Sequence, residues 1–347
     1  MSTTATKPSL SAPVKQLLEL LAKRPEILNL KTSIAERENL VVEGVIRPAR
    51  GPIWSCLRGF EGKPDPGPSL WVTPTSDGAE VLVEDLRALG LDSNLVYFPF
   101  REERTQTEEA RPVDPMQLAA LEKLQQAGHD EPLLVVAPIR SLLQKTMSRA
   151  ALEQSRWVVK KGESTDRDTM LEMLVSEGYH RETMVERRGE FSARGDIIDI
   201  YPITGEPVRV ELFGDEVESI RHINLDTQRS VKEIEEFSVS PISHEDDGSY
   251  LVDFLPRGTV VCMEEPAQLR LQTLEWSHEG WHGEWGDFLA LLTPFRQLSF
   301  TTWEDAESRA AAEGVQRIEI ACEPQRVFPD RVEGMMGRLP EWVAEKR

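Results

Sequence analysis

Leu70-Trp71-Val72-Thr73, a helical pattern over 79–89 closed by Gly90, the short run 94–98, a second helical pattern over 115–127 ended by Gly128, and Leu133-Leu134-Val135-Val136-Ala137 follow one another without interruption. The strands are short and apolar throughout, and the helices between them have the length of crossover connections. A strand that is apolar on both faces must be covered on both, so this alternation predicts a parallel sheet with helices on either side. Leu40-Val41-Val42-Glu43-Gly44-Val45-Ile46, bounded by Pro48, reads as an earlier strand of the same layer. Before it, Val14, Leu17, Leu18 and Leu21 recur at helical spacing until Pro25.

The period changes after Trp157. One helix is expected over 168–177, with Met170, Leu171, Leu174 and Val175 as its stripe, and then two-residue alternation takes over. Ile198 and Ile200 alternate with Ile197, Asp199 and Tyr201, Val208, Val210 and Leu212 alternate with Arg209 and Glu211, and Gly214-Asp215 turns the chain into 217–223. These are the marks of a small α+β domain of antiparallel hairpins. Strand and helix patterns return beyond Pro241, with strands at 259–263 and 317–322, and the segment 332–346 is helical in pattern. The expected organisation is an N-terminal tail and helix (1–24), the first half of an α/β domain (25–150), an inserted hairpin domain (151–240), and the second half of the first domain (241–347), read as truncated at its C-terminus.

Composition narrows the function. The chain has 347 residues, 39% hydrophobic and 29% charged, which suits folded domains rather than disorder. Its net charge of −20 repels nucleic-acid phosphates. The three cysteines, Cys56, Cys262 and Cys322, are far apart and read as reduced thiols buried as small hydrophobes. No apolar leader or membrane-length run is present, and the expected location is the cytoplasm.

Several places carry residue types that do chemistry. His278-Glu279-Gly280-Trp281-His282 has the spacing that sets two imidazoles on one zinc ion with Glu279 as base, but Gly280 weakens the helix this needs, and Trp276 to Trp285 reads equally as an aromatic patch. A phosphate-binding loop after the strand ending at Ile46 would need G-x-x-x-x-G-K-[ST], and the chain offers Arg47-Pro48-Ala49-Arg50-Gly51-Pro52 instead. Glu264-Glu265, after the strand Val260-Val261-Cys262-Met263, has the placing of a metal-holding acidic pair, yet reads first as solvated carboxylates at a strand end. Both halves of a nucleotide site are thus eroded, and neither a cofactor nor a metal is expected. The stretch 178–195 is different. If Arg188-Gly189 formed a two-residue hairpin turn, Thr183 would lie opposite Arg194 with Arg181 one pleat away on the same face, near Phe191. Two arginine forks beside an aromatic would make a partner-binding surface, while Glu182, Glu186 and Glu190 could equally pair them as an ordinary solvated face.

The same stretch, continuing through Asp196-Ile197-Ile198-Asp199-Ile200-Tyr201-Pro202 and Pro207-Val208-Arg209-Val210-Glu211-Leu212-Phe213-Gly214-Asp215-Glu216, resembles the transcription-repair coupling factor family and the related module of UvrB. Asp226-Thr227-Gln228-Arg229-Ser230, the segment 251–256 and Val136-Ala137-Pro138-Ile139-Arg140-Ser141 point to the coupling factors in particular. The resemblance covers roughly Leu70 to Pro266. It implies a degenerate RecA-like, P-loop-NTPase-like domain in two halves with a UvrA-binding domain between them, and Arg181, Phe191 and Arg194 as the UvrA contact. Ser192 stands where UvrB has a further arginine. It implies no catalytic residue in this chain, an adaptor role in transcription-coupled nucleotide excision repair, and contacts with RNA polymerase and DNA, like ATP-driven translocation, through domains that these residues do not contain. A zinc peptidase working through His278, Glu279 and His282 and a UvrB-like damaged-DNA-binding subunit are the competing readings.

Overall fold

The computed structural model describes residues 12–36, 39–58, 68–101, 111–127, 133–244, 248–278, 283–302, 309 and 313–322. The chain divides into two units, one made of Met1–Phe100, Gln126–Gln144 and Leu255–Arg347, the other of Arg101–Gln125 and Lys145–Phe254. The helical pattern over 332–346 and the residues Glu279 to His282 lie outside the described residues.

The first unit is built on a seven-stranded sheet. Numbered in chain order, its strands are β1 (Leu40–Glu43), β2 (Ser69–Thr73), β3 (Leu95–Tyr97), β5 (Leu134–Pro138), β15 (Val260–Glu264), β16 (Arg296–Thr301) and β17 (Gln316–Glu319), in the spatial order β17-β1-β16-β15-β2-β5-β3. Every neighbouring pair is parallel. The expected α/β layer is therefore present, and its physical signature is plain: all residues of β2, β5 and β15 are buried. The helices are α1 (Ala12–Leu21), α2 (Pro25–Ala35), α3 (Arg47–Arg58), α4 (Ser76–Ala88), α6 (Ile139–Leu142), α9 (Pro266–His278) and α10 (Trp285–Leu292). Pro25 does more than end the first helical pattern. It starts α2, because a proline in the first helical turn forfeits no intrahelical hydrogen bond. Thr75 caps α4 by accepting from the Gly78 amide at 3.1 Å.

The centre of this unit is aromatic. Trp71 on β2 stacks on Phe300 of β16, centroids 5.2 Å apart at 4°, and meets the edge of Trp54 from α3 at 5.5 Å and 87°. All three are fully buried, and each such ring pair adds about 0.5–1.5 kcal/mol beyond its burial. Cys262 and Cys56 are buried free thiols, and burial pushes Cys56 up to about 12. No described helix is long and apolar enough to cross a membrane.

The second unit carries α5 (Pro115–Gln126) up to Gln125, α7 (Arg149–Gln154) and α8 (Arg167–Ser176), with two small ladders, β4 (Arg111–Pro112) against β14 (Ser243–His244) and β6 (Trp157–Lys160) against β13 (Glu236–Val239). Its main sheet has six strands in the order β12-β11-β10-β9-β8-β7: β7 (His180–Arg181), β8 (Glu190–Arg194), β9 (Ile197–Tyr201), β10 (Val208–Phe213), β11 (Glu216–Asn224) and β12 (Arg229–Ile234). From β8 to β12 the pairing is antiparallel. Phe191, Ile198, Ile200, Val208 and Val210 are buried, as the two-residue alternation requires, and a register shift in β11 lets Val217 and Ile220 both face the same core. Gly195-Asp196 joins β8 to β9 and Gly214-Asp215 joins β10 to β11, each with its glycine at positive φ.

Candidate functional site

The predicted arginine hairpin is not the one that forms. Arg188-Gly189 is not a hairpin turn, because β7 runs parallel to β8 with His180 beside Glu190 and Arg181 beside Phe191. Gly189 has φ +81° and donates its amide to Tyr201 O at 2.8 Å. Arg188 lies over the Tyr201 ring, 4.8 Å from the centroid, and one of its nitrogens donates to the carbonyls of Pro202, Ile203 and Gly205 at 3.1, 2.8 and 2.8 Å. That arginine closes a loop. Glu190, a candidate partner for the arginines, instead accepts the amides of Glu186 and Arg187, both at 2.9 Å.

These registers separate the three predicted contact residues. Phe191 is 1% exposed and packs inward on β8. Arg181 pairs with that inward-facing position, whereas Arg194, three residues along β8, lies on the opposite face. The two guanidiniums do not share a face as drawn from the hairpin. Both remain exposed. Arg194 donates to Thr183 O at 2.9 Å, and Ser192 donates its hydroxyl to the same oxygen at 3.0 Å. Ser192 thereby anchors the segment that carries Arg194.

The outward face of the main sheet is a ladder of polar pairs. Arg209 on β10 forks onto Asp199 on β9 at 2.7 and 2.9 Å, and Asp199 is only 3% exposed. The hydrogen bond from Arg209 to Asp199 raises the pKa of Arg209, with the negative charges of Asp199 and Glu211 acting in the same sense. Glu211 accepts from Ser219 at 2.8 Å and from Arg221 at 3.1 Å across β10 and β11. At one end the ladder gives way to apolar side chains. Ile197 lies directly between Arg194 on β8 and Glu211 on β10, and Phe213 shares the face of Glu211 one pleat further on. Ile197 is 38% exposed and Phe213 78%. Both sit beside hairpin turns that are tied together by the Leu212 amide donating to Asp196 O at 2.9 Å, and Arg167 on α8 fixes Gly195 O at 2.8 Å. Sequence reading passed over Phe213, although its place at the polar phase of β10, immediately before a Gly-Asp turn, was a signal for an exposed ring.

In the first unit, Glu264 and Glu265 are not the solvated carboxylates expected. They are 2% and 5% exposed at the carboxyl end of β15. Arg50 of α3, itself 2% exposed, donates to Glu264 at 2.5 Å, to Glu265, and to Val45 O at 3.2 Å. Arg47 adds a second bond to Glu264 at 2.7 Å. Thr302 gives Glu265 its amide at 3.0 Å and its hydroxyl at 2.8 Å, and Thr301 its hydroxyl at 3.3 Å. Two arginines within four residues of a helix can reach a strand end two strand positions away only because β1, β16 and β15 are neighbours, a fact that sequence spacing does not carry. Among the described residues, no group of three His, Cys, Asp or Glu side chains could hold a metal ion. The zinc-type motif begins at the last residue of α9, His278, and otherwise lies outside them.

Comparison with known proteins agrees with this division. The family described as the UvrB interaction domain matches residues 158–244, which span the main sheet of the second unit. The transcription-repair-coupling factor of Bacillus subtilis (strain 168) is 32% identical over 202 residues, covering 58% of this chain and 17% of that protein. That of Staphylococcus haemolyticus (strain JCSC1435) is 42% identical over 116 residues, covering 33% of this chain and 10% of the relative. The chain thus spans less than a fifth of the length of these relatives. A solved structure of a variant of S. cerevisiae Dbp5, bound to Nup159, Gle1, IP6 and ADP, aligns over 90% of this chain and 52% of its own with 7% identity and a TM-score of 0.30, a likeness too low to bear on the argument. Residues 158–244 thus match the family of the UvrB interaction domain, and the chain is similar over part of its length to transcription-repair-coupling factors.

Proposed function

We propose that this chain is an adaptor in transcription-coupled nucleotide excision repair, and that its UvrB interaction domain docks UvrA through the end of the main sheet where Arg194, Ile197 and Phe213 meet. The observation that carries the reading is the exposure of an aromatic and an aliphatic side chain beside an arginine on an otherwise polar, internally paired face. Exposed large apolar groups on a rigid sheet are costly unless covered, and aromatic and arginine side chains dominate interface energetics. Arg181, at the sheet edge, contributes from the other side of β8, and Phe191 acts by holding β8 in place. Asp196 and Asp215 lie in the two turns beside the apolar end and Glu216 pairs with Phe213, so the complementary surface carries basic groups around an apolar pocket, together with an acidic group for Arg194. Recruitment of UvrA to stalled transcription complexes, contacts with RNA polymerase and DNA, and ATP-driven translocation then fall to the assembly and to sequence outside this chain.

The test is binding of the purified chain to UvrA by calorimetry, with Arg194→Ala and Phe213→Ala against an exposed arginine of the first unit, Arg257→Ala. Loss of affinity in the first two alone supports the reading. A wild-type chain that does not bind UvrA removes it.

A further inference from the structure

The first unit contains a buried ionic cluster that the docking function does not use. Its place is telling. Glu264 ends β15 and Glu265 follows it, Thr301 ends β16 and Thr302 follows it, and Arg50 stands on the helix that follows β1, so the cluster sits at the carboxyl ends of three neighbouring parallel strands. Open α/β sheets take their ligands there. The oxygens gathered at this point, two carboxylates and two threonine hydroxyls, are those that a hard divalent cation accepts. A cation does occupy the position, and it is covalently part of the chain: the guanidinium of Arg50 spans both carboxylates and is held from behind by Val45 O. Glu265 adopts φ +50°, a left-handed conformation that a non-glycine residue takes only when its surroundings impose it. Here the imposing contacts are the arginine and Thr302.

We propose that Arg50 is a built-in counter-ion latch: it stands where an exchangeable cation would stand and closes β1, β15 and β16 against α3 with no external ligand. The chemistry follows from charge. Two carboxylates this deeply buried need a positive partner, and a side chain on α3 supplies it permanently, with Arg47 at the exposed rim. Without Arg50, the space between Glu264 and Glu265 would lose its cation, Arg47 would hold only the rim of Glu264, and the carboxylates with Thr301 and Thr302 would be able to take a hydrated divalent ion.

Thermal unfolding of the whole chain in EDTA and in millimolar calcium or manganese tests this. The wild type should unfold at the same temperature in all three. Arg50→Ala should unfold lower in EDTA, by on the order of 10 °C, and regain part of that loss with either cation. The triple variant R50M/E264Q/E265Q, which removes the charges together, should be more stable than Arg50→Ala and indifferent to cations. It also decides the case if Arg50→Ala fails to fold. A wild type stabilised by the cations, an Arg50→Ala variant that folds without responding to them, or a triple variant no more stable than Arg50→Ala would each overturn the latch.

Discussion

Replacing Tyr179 by phenylalanine removes one oxygen atom from the second unit, and the structure says what that should cost. The Tyr179 hydroxyl donates to Ser240 O at 3.0 Å and accepts from the Ile203 amide at 3.2 Å, tying the chain after α8 to the loop beyond β9 and to the end of β13. The residue is 3% exposed. Tyr179→Phe keeps the ring but leaves a buried carbonyl and a buried amide without partners, and each such orphan costs about 1–3 kcal/mol. The expected loss is about 3 kcal/mol, or roughly 10 °C in the melting temperature of a unit this size. Urea unfolding followed by fluorescence measures it. The pH dependence gives a second signature, because burial pushes the Tyr179 phenol up to about 12 from an unfolded value near 10. A raised phenol pKa means that the folded state favours the neutral form, so this stabilisation is complete below pH of about 10 and is lost as pH rises toward about 12. Wild type should therefore lose stability across that window more steeply than Tyr179→Phe. A variant within about 0.5 kcal/mol of wild type would refute the reasoning, since it would mean that both backbone groups find other partners.

Two further perturbations probe the docking domain. Arg209→Met strands the buried Asp199 carboxylate and should destabilise by about 3–5 kcal/mol, with much of the loss recovered in the double variant that adds Asp199→Asn; chemical denaturation of all three proteins gives the comparison. Gly189→Ala should cost about 1–2 kcal/mol, because its φ is +81° and the new Cβ would lie 2.8 Å from the Ile242 Cδ1; adding Ile242→Val relieves only the contact, so a full rescue in an unfolding experiment would show that backbone conformation is not the cause.

What could be read from residues alone follows the reach of each signal. The parallel sheet was legible because β2, β5 and β15 are apolar at nearly every position, and the hairpins because Ile198-Ile200 and Val208-Val210-Leu212 keep a strict two-residue period. Gly214-Asp215 was legible as a turn for the same local reason. The strand around Arg181 was not. Its two residues are too few to show a period, and parallel pairing with β8 depends on a loop, Glu182 to Gly189, whose shape is set by Arg188 gripping three carbonyls. The buried state of Glu264 and Glu265 was hidden too, since their partner lies more than two hundred positions earlier. Burial of Phe191 followed from the phase of β8, which an antiparallel hairpin drawn through Arg188-Gly189 obscured.

Calorimetric titration of UvrA into the chain and its variants tests most directly whether UvrA docks at the Arg194, Ile197 and Phe213 end of the sheet. Arg194→Ala and Phe213→Ala should each weaken binding by about 2 kcal/mol, roughly thirtyfold, with circular dichroism unchanged and Arg257→Ala binding as wild type does. Wild-type affinity in both face variants, or no binding by the wild-type chain, would contradict docking there.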